Sequence, residues 1–161
     1  MAQYCAMLNS IMPTLLKHKK VSFDYEILET FDAGIELLGF EVKSLRASRG
    51  KLEGAHILVR GGEAYIVGMS IQPLQPGNIP KEYDPERPRR LLLTKKELDT
   101  LIGIENTKGL TLVPLSCYTK HRLIKLSFAS VRGKKKYDKR ESIKERDSKR
   151  DMERILKQQK R

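Results

Sequence analysis

The stretch Ala55-His56-Ile57-Leu58-Val59-Arg60-Gly61-Gly62-Glu63-Ala64-Tyr65-Ile66-Val67-Gly68-Met69 decides the fold class. Two short runs rich in β-branched and aromatic residues flank Gly61-Gly62, a pair that tolerates positive φ, so Ala55 to Arg60 and Glu63 to Met69 are expected to form a tight hairpin. Upstream, Phe23-Asp24-Tyr25-Glu26-Ile27 sets apolar residues at alternating positions, the period of a strand with one face in a core. A second strand is expected over Ile35 to Leu45. Its phase changes at Gly39, since Ile35 and Leu37 share one face and Phe40 and Val42 fall on the other, so a bulge or bend is expected there.

Downstream, Pro73 to Arg90 holds four further prolines and many charges, which remove backbone donors and argue for a long surface loop. Thr94-Lys95-Lys96-Glu97 has the capping-box spacing and predicts a helix start. Leu98, Leu101 and Ile102 give that helix one apolar stripe, and Gly103 suits its end. Leu110 to Tyr118 and Leu123 to Ala129 read as two more strands, with Ile124, Leu126 and Phe128 alternating against Lys125 and Ser127. A mainly β chain of about six short strands with one clear helix favours a small closed antiparallel barrel, which removes sheet edges.

The 161 residues carry 32 Lys and Arg against 20 Asp and Glu, a net charge of +12. A surface of that sign attracts polyanions, nucleic acid first among them. Residues 132 to 161 hold 14 basic and 6 acidic residues, which leaves +8 of the excess in the C-terminal fifth. The division expected is a flexible leader over 1–22, a barrel over 23–132 and a basic tail over 133–161. In the tail Ile143 lies on the opposite helical face from Met152, so no apolar stripe can pack on the barrel. The tail's composition nevertheless favours helix, with Glu145 and Lys149 and Glu153 and Lys157 as i, i+4 pairs. It is therefore expected to be disordered alone and helical on a partner.

Several chemistries lack a constellation. His18, His56 and His121 are scattered singly, and no CxxC or HxxxH spacing occurs, so no metal site is expected. Position 128 is Phe where a phosphate-binding loop ending at Gly133-Lys134 would need glycine. Asp32 and Glu41 could make a nuclease pair only if the fold brought them together; a structural or solvated carboxylate is the expectation for each. Cys5 and Cys117 read as free thiols, and no apolar run approaches the roughly 20 residues of a membrane span. Two features point to RNA instead. Arg132 to Arg140 combines dense cations with Tyr137, and Arg87, Arg89 and Arg90 stand directly before Leu91-Leu92-Leu93. A generic RNA chaperone or ribosomal protein, a membrane-surface helix in the tail and a small ribonuclease are the rival readings.

Asp32-Ala33-Gly34, Glu41-Val42-Lys43-Ser44-Leu45-Arg46-Ala47, Asp84-Pro85, Arg89-Arg90-Leu91-Leu92-Leu93 and the segment from Gly109 to Pro114 resemble the SsrA-binding (SmpB) protein family. The most specific match is Gly133-Lys134-Lys135-Lys136-Tyr137-Asp138-Lys139-Arg140-Glu141 followed by Ile143-Lys144-Glu145-Arg146. The resemblance runs from about Lys19 to Arg161. It implies a barrel of the oligonucleotide-binding (OB) type with short flanking helices and no cofactor, a monomer in the cytoplasm that performs no chemistry. It further implies binding to the tRNA-like domain of transfer-messenger RNA, delivery of that RNA to stalled ribosomes for trans-translation, and tagging of the nascent peptide. The partners implied are transfer-messenger RNA, the small ribosomal subunit at its decoding centre and messenger channel, and indirectly elongation factor Tu on the charged RNA.

Carried over by position, Tyr25, Asp32 and Leu92 are expected at the RNA surface. Arg89 and Arg90 nearby, and Lys134 and Lys135 in the basic run, are read from their charge rather than from the resemblance as phosphate partners. Tyr137, Asp138, Lys139 and Arg140, with Ile155 and Leu156 near the end, are the tail residues expected to engage the ribosome. Asp32 stands where the family commonly has Glu, His18 where it commonly has Asn, and Phe23 where it often has His.

Overall fold

The computed structural model describes residues 13–75, 77, 80, 82–134 and 152. Its strands are β1 Thr14–Lys17, β2 Tyr25–Ile35, β3 Gly50–Lys51, β4 His56–Arg60, β5 Glu63–Val67, β6 Ser70–Ile71, β7 Arg89–Leu92, β8 Leu110–Lys120 and β9 Leu123–Gly133. Helices α1 Val21–Asp24, α2 Gly39–Arg46 and α3 Lys95–Glu105 lie between them. The main sheet runs β1-β8-β4-β5-β7-β2-β9, and β9 pairs back onto β8. Six antiparallel strands therefore close into the expected OB-type barrel, β1 adds to β8 from outside, and β3 and β6 form a separate pair. Phe128 and Phe31 stack inside with ring centroids 5.5 Å apart, among Ile57, Ile66, Leu91, Leu112 and Leu126.

The hairpin forms as the sequence predicts: Arg60 pairs with Glu63, and Gly61 and Gly62 take φ of 59° and 77°. The capping box also forms, with the Glu97 N–H donating to Thr94 Oγ1 at 3.4 Å and Thr94 N–H to Glu97 Oε2 at 2.8 Å. The helix that follows runs past Gly103 and ends at Asn106. Leu101 is its buried residue, and Leu98 and Ile104 pack beside it while Ile102 faces outward. The Glu105 carboxylate accepts from Val59 N–H at 3.2 Å, tying this helix to β4.

Three expectations are corrected. No strand runs from Ile35 to Leu45: β2 is continuous through Ala33-Gly34 to Ile35, and the chain then turns into α2. The phase change at Gly39 was a switch from period 2 to period 3.6, which places Glu41 and Leu45 on one buried helix face. The residues assigned to a leader are also partly built into the fold. Thr14–Lys17 pairs with β8 from Ser116 to Tyr118, and Val21 is buried against Val113, Ala129 and Val131. The alternation read from Phe23 begins as helix and becomes strand only at Tyr25.

The described residues between Ile71 and Arg89 are largely irregular, as the prolines dictate, but they are pinned. Glu41, fully buried, accepts from Arg87 Nη2 at 2.7 Å, Arg89 Nη2 at 2.8 Å, Tyr83 Oη at 3.0 Å and Leu38 N–H at 2.8 Å. Burial pushes its carboxyl pKa up. The Arg87, Leu38 and Arg89 hydrogen bonds outweigh that and leave it below the ordinary value.

Candidate nucleic-acid interface

In a regular strand, residues seven apart face opposite sides of the sheet. Tyr25 and Asp32 are seven apart, yet they pair with Gly133 and Ser127, which are six apart on β9 and so share a face. The difference is a bulge between Ile27 and Glu29, which absorbs one residue and restores the phase. Tyr25, Ile27, Thr30 and Asp32 therefore line the outer face of the barrel, over roughly 20 Å of strand.

At the Asp32 end an open groove of about 540 Å³ is lined by Asp32, Glu63, Arg90, Leu92, Glu97 and Lys125 among others. Three residues expected from the sequence, Asp32, Arg90 and Leu92, meet here. Leu92 is 55% exposed and lies across from Gly34, where an added Cβ would come within 3.2 Å of the Leu92 Cβ. Arg90 pairs with Glu63 at 2.7 Å, both half exposed. Such a pair is worth about 0–1 kcal/mol, so an incoming phosphate competes with it at small cost. Asp32 accepts from the Tyr118 hydroxyl, whose pKa is pushed up to about 12 by burial and by the Asp32 charge. One hydrogen bond leaves most of the carboxylate's acceptor sites open to a sugar hydroxyl or base edge.

At the other end of the face Tyr25 is half buried over the small cluster of Val21, Val113, Ala129 and Val131. Lys134 begins the tail beside it: its backbone N–H donates to Asp24 O at 3.1 Å and its Nζ to Ser22 O at 2.9 Å. The basic tail thus leaves the barrel at the Tyr25 end of the same face. Lys135, Tyr137, Asp138, Lys139, Arg140, Ile155 and Leu156 lie outside the described residues.

Arg89 is corrected. It is fully buried, and its guanidinium is spent on Glu41, Met69 O at 2.6 Å and Pro85 O at 2.9 Å. It cannot meet a phosphate; it holds β7 while its neighbour Arg90 faces out. Lys125, which lines the groove, and Tyr118, the partner of Asp32, have no role in the expectations drawn from the sequence. The alternation of Ile124, Leu126 and Phe128 already put Lys125 outward, so the signal for it was present. Tyr118 reaches Asp32 only because β8 and β2 flank β9, which no local pattern reveals. Among the described residues no cluster of His, Cys, Asp or Glu could hold a metal, and no helix is long and apolar enough to cross a membrane.

The SmpB protein family model matches residues 15–158. The SsrA-binding protein of Gloeothece citriformis (strain PCC 7424) is 47% identical over 140 residues, 87% of this chain and 90% of its own length. That of Clostridium botulinum (strain Hall) is 45% identical over 148 residues, 92% of this chain and 94% of its own. A solved chain described under "tmRNA-SmpB: a journey to the center of the bacterial ribosome" superposes with a TM-score of 0.64 at 42% identity, covering 80% of this chain and 93% of that one.

Proposed function

The chain belongs to the SmpB family, and from that footing we propose that it is a cytoplasmic, non-enzymatic adaptor. It binds the tRNA-like domain of transfer-messenger RNA and delivers it to stalled ribosomes for trans-translation. The observation that carries this reading is the single outer face on which Tyr25, Asp32, Arg90, Leu92 and Lys125 are aligned, with the basic tail leaving from one end. A face some 20 Å long that mixes cations, a carboxylate acceptor and exposed leucine fits a folded RNA elbow better than a uniform polyanion, because shape and sugar contacts then add to charge. Lys134 and Lys135 contribute phosphate contacts. Tyr137, Asp138, Lys139 and Arg140, with Ile155 and Leu156, engage the decoding centre and the empty messenger channel of the small subunit. The protein acts as a monomer, and elongation factor Tu meets it only through the charged RNA.

Competition binding between transfer-messenger RNA and ordinary tRNA across a salt series tests the reading. A preference of about 100-fold or more at physiological salt is expected, since charge alone collapses steeply as salt rises. Asp32→Ala with Leu92→Ala should reduce that preference. Equal affinities with the same salt slope would identify a generic basic RNA binder and end the proposal.

A further inference from the structure

We propose that the RNA-binding face continues past Leu92 into a second groove, where Leu92, Leu123 and Arg122 hold one unstacked nucleobase and its phosphate; this rests on the reading of the chain as a binder of transfer-messenger RNA. The groove, about 230 Å³, is lined by Leu37, Val42, Leu92, Leu123, Arg122 and Lys125 among others. It shares Gly34, Leu92 and Lys125 with the first groove, so the two are continuous. Their chemistry differs. Asp32, Glu63 and Glu97 line the first, whereas no carboxylate lines the second. Apolar walls rimmed only by cations suit a flat ring attached to a phosphate. The volume lies below the roughly 300 Å³ where ligand pockets begin, so the groove takes a single ring rather than a larger molecule. RNA loops offer such rings, and proteins read them by stacking on arginine planes and apolar side chains.

The independent observation is backbone strain. Arg122 and His121 form the two-residue turn between Lys120 and Leu123, and both sit at positive φ, 67° and 48°. The chain makes the corresponding turn between Arg60 and Glu63 with Gly61-Gly62, which enter that region freely. His121 and Arg122 do not, and a costly conformation kept where glycine would serve points to a use for the side chains. The turn is also anchored: Arg46 Nη2 donates to Arg122 O at 3.4 Å, which brings a second guanidinium to the rim. Leu123, beside it, is 65% exposed, and Leu92 across the groove is 55% exposed.

Arg122→Gly separates the two roles of the turn, because glycine relieves the backbone while removing the guanidinium. Full-length protein carrying it should unfold at the same or a higher temperature. It should bind transfer-messenger RNA about 5- to 10-fold more weakly, the lower range for one stacked base, with a log-log salt slope shallower by about 0.7 to 0.9. Leu123→Ser should weaken binding by a similar factor with the slope unchanged, since it removes no phosphate contact. Chemical probing should find a base protected by the unaltered protein and exposed again with Arg122→Gly. If both variants bind like the unaltered protein while Leu92→Ala binds poorly, the RNA face stops at Leu92 and this subsite does not exist, with the functional reading intact. If Leu92→Ala and Asp32→Ala also bind normally, the functional reading falls with it.

Discussion

Replacing Glu41 by alanine should be among the most destabilising changes available to this barrel. Its carboxylate accepts from Arg87, Arg89, Tyr83 and the Leu38 N–H. Arg89 has no exposed surface, so in Glu41→Ala its charge stays in the interior with neutral partners alone, the Tyr83 hydroxyl and backbone carbonyls. Leaving one member of a buried pair uncompensated costs about 3–5 kcal/mol. That is a large part of the roughly 5–15 kcal/mol that holds a domain folded. For a barrel of about 120 residues each kcal/mol moves the midpoint by about 4 °C, so thermal unfolding should come about 12–20 °C earlier. The half-exposed Arg90 gives the contrast, because breaking its pair with Glu63 by Arg90→Ala should cost under about 1 kcal/mol. Urea titration of the two variants measures both. A loss below about 1 kcal/mol for Glu41→Ala, with an unchanged urea slope, would refute the view that Arg89 is buried on the strength of Glu41.

Truncation after Lys136 should spare capture of transfer-messenger RNA and abolish tagging on ribosomes; a truncated protein that still supports tagging in a reconstituted translation assay would remove the tail from the mechanism. Acid should expose Glu41 in a second way. Its folded pKa lies below the ordinary 4.5, so under acid the unfolded chain binds more protons than the native one. The stability it contributes is complete above about 4.5 and is lost as pH falls through the folded value. Urea titrations at pH 6 and pH 3 should therefore differ less for Glu41→Gln than for the unaltered protein, and equal differences would contradict this. Burial raises the Cys117 thiol to about 12, so in a Cys5→Ser background a thiol reagent at neutral pH should label the chain only after denaturant is added. Prompt labelling of the native protein would show Cys117 to be accessible.

The parts of the fold legible in sequence are those set by neighbours in the chain. Gly61-Gly62, the Thr94 and Glu97 box and the Ile124-Leu126-Phe128 alternation each act within a few residues, and each forms where expected. The errors fell where a distant partner decides. Glu41-Val42 can satisfy a strand or a helix by apolar pattern alone. Helix wins because its carboxylate, brought to one face with Leu45, meets Arg87, Arg89 and Tyr83 from more than 40 residues away. The strand at Thr14–Lys17 is short, and its pairing with β8 and the burial of Leu16 in the core, both set by distant residues, hold it in the sheet.

The same distinction separates the site residues. Arg89 and Arg90 are adjacent in sequence and identical in chemistry, so any motif that reads one as a phosphate partner reads both. In β7 they alternate in and out, and the inward one finds Glu41 while the outward one finds solvent and Glu63. Composition therefore overstates the charge this face can offer, since one of the two cations is consumed in building the strand that presents the other. Tyr25 and Asp32 err in the opposite direction. Their odd spacing forbids a common face in a regular strand, and only the bulge between Ile27 and Glu29 brings them together. Straightening β2 with all its residues kept would turn Tyr25 and its neighbours toward the interior and divide this continuous outer face into two patches on opposite sides of the strand. Deleting Leu28, the extra residue of the bulge, instead shortens the spacing to an even number and keeps Tyr25 and Asp32 together.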